Sequence, residues 1–152
     1  KGSMIDMNAA SKFAQQLKEA YDIIVPTVNT PVRLLSGGNL QRVILAREIS
    51  GHPNFMVAVQ PTRGLDVGAI EGVHRLLLTQ READAAVLLI SEELEELLAL
   101  SDRVYVIYEG KIMGEVKVAT GEPEERLIEA IGLMMTGTPL EHIQSEGVEK
   151  HG

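Results

Sequence analysis

The residues best suited to chemistry lie in the stretch Leu35-Ser36-Gly37-Gly38-Asn39-Leu40-Gln41. From Asn39 to Ile49, Leu40, Val43, Ile44, Ala46 and Arg47 fall at helical spacing, which sets Ser36-Gly37-Gly38 at a helix N-terminus. The first backbone N–H groups there have no partner within the helix, and the positive end of the helix dipole faces outward. Two glycines let an anion approach the backbone closely, and the serine hydroxyl supplies one more donor. The chemistry implied is anion binding, with phosphate the natural guest. An isolated Ser-Gly-Gly also serves as a plain turn with Ser36 as an ordinary N-cap, so the surrounding elements have to decide.

Those elements alternate. Met7 to Tyr21 reads as an amphipathic helix with Phe13, Leu17 and Tyr21 on one stripe, followed by an irregular stretch to Arg33 that carries Pro26 and Pro31. After the Ser36 helix, Gly51-His52-Pro53-Asn54 makes a break. Phe55 to Val59 reads as a buried strand leading straight into Gln60-Pro61-Thr62-Arg63-Gly64-Leu65-Asp66. A helix over Val67 to Glu82, a second buried strand over Ala86 to Ile90 and a short acidic helix over Glu93 to Leu100 come next. Val104 to Tyr108 and Ile112 to Val116 form a hairpin, and Glu122 to Met135 a terminal helix with Gly137 past its end. The residues from Ser145 onward are polar and expected to fray. Strands alternating with helices predict an α/β fold with a mostly parallel sheet.

Composition narrows the function. The 152 residues suffice for one core, and 45% apolar content is ordinary for a globular chain. A net charge of −8 argues against a nucleic-acid partner, which usually meets a basic face. The chain has no cysteine, so neither a disulfide framework nor thiolate chemistry is available. No apolar run approaches the ~20 residues that span a bilayer, so membrane contact is expected only through a partner. Lys1-Gly2-Ser3 before Met4 reads as a cloning scar.

The order of parts resembles the ATP-binding subunit of an ABC transporter. LSGGNLQ is similar to that family's signature motif, FMVAVQPT stands where its Walker B strand belongs, and Gly64-Leu65-Asp66 matches its D-loop. LLISEELEELLALSDRVYVIYEGKI resembles the switch segment and the strands after it. PTRGLDVGA, the GGN signature and SEELEELLALSD look most like the second, C-terminal nucleotide-binding domain of tandem subunits that power simple-sugar or nucleoside import. The fold implied is a partial P-loop NTPase: a helical subdomain over 4–50, an α/β ATPase core fragment over 51–137 and a tail over 138–152.

One part of the family pattern is missing. A P-loop reads G-x-x-x-x-G-K-[ST], and the only Gly-Lys pair, Gly110-Lys111, is followed by Ile112 and has Tyr105 in the place of the first glycine. The expectation is a truncated domain without the Walker A strand, its sheet edge open to self-association. Walker B in the family ends in Asp-Glu, which hold the Mg²⁺ shell and the attacking water; Val59 and Gln60 stand there instead. Valine has no oxygen for a cation, and glutamine cannot take a proton from water, a loss that typically costs about 10²–10⁴ in rate. The family's switch histidine is replaced by Glu92, whose carboxylate repels a γ-phosphate; Glu92 also suits the first turn of an acidic helix. His52, His74, His142 and His151 are elsewhere, no pair has metal-ligand spacing, and no metal site is expected.

In this family each ATP is sandwiched between the P-loop of one domain and the signature of another. The resemblance therefore implies that Ser36, Gly37, Gly38 and Gln41 complete an ATP site held by an upstream domain of the same subunit, with Asp66 contacting that domain or capping the Val67 helix. ATP and Mg²⁺ are the cofactors of the whole assembly and are not expected to bind this stretch tightly on its own. Membrane permease subunits are the further partners, at the cytoplasmic face of the plasma membrane. Two other classes share parts of this pattern: a non-enzymatic docking module, and the C-terminal half of a split ABC-type ATPase of DNA maintenance. The second would need an intact Asp-Glu pair and an upstream heptad coiled coil, which the chain lacks.

Overall fold

A computed structural model describes residues 6–118 and 123–143. Two compact units divide the chain, Lys1–Ile90 and Ser91–Gly152.

In the first unit, helix α1 (Met7–Ala20) is capped by Asp6, whose carboxylate accepts from the N–H groups of Asn8 and Ala9. None of its residues is fully buried; along the Phe13–Leu17–Tyr21 stripe Leu17 and Tyr21 are half-buried and Phe13 is half exposed, and the helix lies against the α-helix that follows it. Tyr21 lies just past the helix as its C-cap. A 3₁₀ turn (Val32–Leu34) leads into α2 (Gly37–Ile49), whose buried residues Leu45, Ala46 and Ile49 lie on its C-terminal half. Strand β1 (Phe55–Val59) pairs in parallel with β2 (Ala86–Ile90), in register from Phe55 opposite Ala86 to Val59 opposite Ile90. The crossover between them is α3 (Val67–Glu82), which packs on α2 and β2 and buries Ala69, Val73, Leu77 and Gln80 along one stripe.

The two strands correct one expectation. Both are apolar on both faces, the composition of strands covered on both sides. In β1 only Met56 and Ala58 are buried, while Phe55, Val57 and Val59 are 59%, 51% and 60% exposed; Leu88 and Ile90 on β2 are nearly half exposed. The pleat sends alternate side chains to opposite faces, and a two-stranded sheet has little width to shelter the second face.

The second unit holds α4 (Leu94–Leu100), the antiparallel pair β3 (Arg103–Tyr108) and β4 (Lys111–Lys117), and α5 (Glu124–Met135); residues 140–143 add a helical turn. The described sheets are therefore one parallel pair and one antiparallel pair. Val104, Val106 and Val116 pack against Leu127, Ile131 and Met134 of α5, the last two 1% and 0% exposed. A bulge leaves Met113 unpaired, and its side chain packs against this core. Gly121, Glu122, His151 and the residues from 145 onward lie outside the described residues.

Gly110-Lys111 is part of a hairpin. Tyr108 pairs with Lys111, and both residues between have positive φ, 47° at Glu109 and 76° at Gly110, which is a type I′ turn. Glutamate is poorly suited to the left-handed region, where a side chain costs about 1–2 kcal/mol and asparagine less. Glu109→Asn is therefore expected to stabilise the chain by up to about 1 kcal/mol. A thermal melt checks this, and an unchanged midpoint would show that the turn carries no strain worth relieving.

Candidate functional site

Ser36 is the N-cap of α2, with extended backbone angles (φ −64°, ψ 158°) and its carbonyl accepting the Leu40 N–H at 2.9 Å. Its Oγ accepts twice from Asn39, from the backbone N–H at 3.4 Å and from Nδ2 at 3.1 Å. The N–H groups of Gly37 and Gly38 open the helix and have no acceptor among the described residues. Ser36 and Gly37 are exposed, and Gly38 is half-buried. An anion reaching this turn would meet two backbone donors and a hydroxyl at the positive end of a 13-residue helix.

The first turn of α3 lies against it. Asp66 caps α3, its Oδ1 accepting from Ala69 N–H at 2.9 Å. A Cβ added to Gly38 would stand 2.7 Å from the Ala69 Cβ, and one added to Gly37 would stand 3.4 Å from the Leu65 side chain. The fold thus brings Ser36, Gly37 and Gly38 beside the Leu65–Ala69 turn, although Asp66 is 30 residues later in the chain. The glycine at 38 has a reason that spacing alone did not reveal: α2 and α3 approach too closely there for any side chain. Gln41 follows on the same helix, half-buried, its side chain without a hydrogen-bond partner among the described residues.

Val59 ends β1 opposite Ile90, exposed and purely apolar. Gln60 extends the pairing by one residue, its N–H donating to Ile90 O at 2.8 Å, and its φ of 47° turns the chain out of the strand. The Gln60 carbonyl then accepts from Arg63 N–H at 3.2 Å and that of Thr62 from Leu65 N–H at 3.1 Å, forming the turns that deliver Asp66 to α3. Both residues sit at the carboxyl ends of parallel strands, where open α/β sheets bind their ligands. Neither offers a carboxylate. No hydrogen bond joins them to the Ser36 turn among the described residues.

Glu92 is exposed and precedes α4: Glu93 is the N-cap, and Glu95 and Glu96 occupy the first turn. It is thus outside the helical turn that the acidic run suggested for it. Ser91 Oγ accepts from Glu93 N–H at 3.1 Å and shapes this entry. His52 lies in the turn after α2 with φ 48°.

Two residues that the spacing argument passed over are tied into the site. Asn39 Oδ1 accepts from Ile24 N–H at 2.7 Å, and Arg42 Nη1 donates to Asp22 O at 2.7 Å. Both bonds join α2 to the loop before it, 15 and 20 residues away. Only the third letter of the Gly-Gly-Asn triplet hinted at Asn39. Burial raises the pKa of the nearby Tyr21 hydroxyl above its ordinary 10.0. No described helix is long and apolar enough to cross a membrane.

The chain is 50% identical over 127 residues to the guanosine import ATP-binding protein NupO of Bacillus subtilis, a match covering 84% of this chain and 24% of that protein. It is 45% identical over 138 residues to the glucose import ATP-binding protein TsgD13 of Haloferax volcanii, covering 90% and 24% of the two. With the nucleoside import ATP-binding protein NupA of Lactococcus lactis subsp. cremoris it shares 42% over 137 residues, covering 90% and 26%. It spans about a quarter of the length of these curated relatives. Among solved structures, MJ1267, an ATP-binding cassette of an ABC transporter, superposes with a TM-score of 0.66 at 20% identity over 87% of this chain and half of that one. The dimeric structure of MJ0796, a bacterial ABC transporter cassette, gives 0.63 at 24% identity over 78% of this chain and 50% of that one. No protein-family model matches the chain.

Proposed function

We propose that this chain, by sequence and fold part of an ABC ATPase cassette, completes the ATP site of another nucleotide-binding domain in the energy-coupling subunit of a sugar or nucleoside importer. The observation that carries the reading is the Ser36-Gly37-Gly38 turn: two unpartnered backbone donors and a hydroxyl at one helix start, within an LSGGNLQ sequence. Its role is electrostatic. Donors held in place by the helix stabilise charge on a terminal phosphate without reorganising when the bond to that phosphate breaks. A second domain of the same subunit supplies the P-loop, the Mg²⁺ ligands and the base, so ATP and Mg²⁺ are held chiefly there. An isolated helix terminus contributes only about 0.3–1 kcal/mol per favourable charge, too little to retain nucleotide alone.

Val59, Gln60 and Glu92 mark the other, idle site of the tandem. Chemically, the apolar side chain at 59 cannot hold Mg²⁺, the amide at 60 cannot accept a proton from water, and the carboxylate at 92 cannot donate to a γ-phosphate as a neutral imidazole does. The site would close with the domains without turning over. We keep the limits 4–50, 51–137 and 138–152 for the helical subdomain, ATPase core fragment and tail as part of this reading. Asp66 at the D-loop faces the companion domain, and the permease subunits bring the assembly to the cytoplasmic membrane surface.

Restoring the family residues tests the idle site. Val59→Asp, Gln60→Glu and Glu92→His together, in the full-length subunit with its permease, are expected to leave ATP turnover unchanged or raise it no more than about twofold, since one competent site already sets the rate. A collapse of turnover in a subunit that still assembles would show that these three side chains act in catalysis as they stand.

A further inference from the structure

We propose that Asn39 is a positioning residue that fixes the Ser36 hydroxyl as an outward donor and links it to the loop carrying Asp22 and Ile24. The inference rests on the reading of Ser36 as a phosphate donor and adds what orients it.

The orientation of the Asn39 amide follows from its partners. A backbone N–H can only donate, so the Ile24 N–H at 2.7 Å requires the carboxamide oxygen on that side. The NH₂ group must then face Ser36, where it donates to Oγ at 3.1 Å, while the Asn39 backbone N–H reaches the same oxygen at 3.4 Å. A serine hydroxyl has two acceptor positions and one proton. Asn39 occupies both acceptor positions, and no described residue takes the proton. The hydroxyl is left with donation as its only free capacity, directed away from the amide that holds it. An anion requires that polarity; a cation or a donor ligand would require the opposite one.

The other end of this chain of bonds is anchored too. Ile23 is 7% exposed, and Arg42, one turn beyond Asn39, donates to the Asp22 carbonyl at 2.7 Å. The Asp22–Ile24 backbone, the Asn39 amide and the Ser36 hydroxyl therefore form one connected path. A displacement of the Asp22–Ile24 loop that broke the Ile24 bond would free the amide to rotate and present its oxygen to Ser36. The hydroxyl proton would then turn inward, and the donor would be withdrawn from the phosphate.

Asn39→Asp reproduces that withdrawn state. Its carboxylate keeps an acceptor for Ile24 and puts a second acceptor, in place of a donor, against Ser36. In the full-length subunit assembled with its permease, Asn39→Asp is expected to lower kcat for ATP at least ~10-fold, with KM changed less than about threefold and the melting temperature retained. Ser36→Ala in the Asn39→Asp background should cost little more, because the donor is already withdrawn. Simple repulsion of phosphate by the new charge would persist without the hydroxyl, and the two losses would multiply. Multiplied losses, or an Asn39→Asp turnover within about twofold of the parent, overturn the proposal. Should Asn39→Asp fail to assemble, the uncharged Asn39→Ala leaves the hydroxyl present but unheld: a loss is expected that combines with Ser36→Ala to less than the product of the two, and fully multiplied losses or none overturn the proposal. Ser36→Ala without effect by itself would overturn the ATP-site reading and this inference with it, whereas a costly Ser36→Ala beside a silent Asn39→Asp removes this inference alone.

Discussion

On the proposed reading, Ser36→Arg is expected to lower ATP turnover by the full-length subunit, assembled with its permease, by about 10²–10³-fold, the cost of losing one preorganised donor to a charged transition state. The substitution acts twice. It removes the hydroxyl whose proton is free to donate, and it plants a long side chain at the exposed N-cap, beside the free Gly37 and Gly38 amides. The positive charge of arginine does not compensate, because its guanidinium lies several ångströms beyond the serine oxygen and holds the facing domain away. The stability cost is much smaller. Loss of a serine N-cap typically amounts to about 1 kcal/mol, against a domain stability of about 5–15 kcal/mol. Steady-state ATPase measured beside a thermal melt separates the two effects. Turnover retained within a few-fold, in a subunit that still assembles, would mean that this turn does not face the nucleotide.

Gly38→Ala destabilises the chain by about 1–3 kcal/mol through overpacking, even though alanine is the better helix former. The added Cβ would stand 2.7 Å from the Ala69 Cβ and 3.9 Å from its Cα. Neither methyl can rotate aside, since each Cβ is fixed by its own backbone. The helices must therefore separate at their N-terminal turns, where α2 and α3 present Ser36 and Asp66. Ala69→Gly in the same chain removes the opposing atom and should recover most of the loss, less about 1 kcal/mol for a glycine within a helix. Equilibrium unfolding of the single and double variants checks this. A Gly38→Ala chain as stable as the parent, or one that Ala69→Gly does not rescue, would show that the contact between the helices is slack. Gly38 is required by the helix contact and, on the proposed reading, by anion approach, and Ala69→Gly distinguishes the two: stability returns while the methyl still stands at the helix start.

Most of the local architecture was legible in the chain. The bounds of β1, β2 and α3 follow from apolar spacing, from the break at Gly51-His52-Pro53-Asn54 and from Asp66 as a cap, all of which act over a few residues. The Glu109-Gly110 hairpin was legible for the same reason. Burial was less so. An apolar strand such as FMVAV does not say which of its faces is covered, and the exposure of Phe55, Val57 and Val59 depends on neighbours that its own residues do not encode. The α1 stripe was legible as an amphipathic face, but its depth of cover was not: Leu17 and Tyr21 are half-buried while Phe13 stays half exposed.

The candidate site divides along the same line. The sequence by itself determined which side chains are on offer: a Ser-Gly-Gly helix start whose free donors suit an anion, and the apolar Val59, the amide of Gln60 and the carboxylate of Glu92, which the family resemblance sets at the positions of a metal ligand, a base and a phosphate donor. Those are properties of side-chain type and short spacing. Only the tertiary structure decided how the turn is held. The Asn39 bond to Ile24 and the Arg42 bond to Asp22 span 15 and 20 residues, and the contact of Gly38 with Ala69 joins two helices separated by a strand. The physical reason is that a donor's direction and a helix's distance of approach are set by whatever packs beside them. The Ser-Gly-Gly helix start could thus be read from seven consecutive residues, and the fixing of its hydroxyl only from a loop folded back against it.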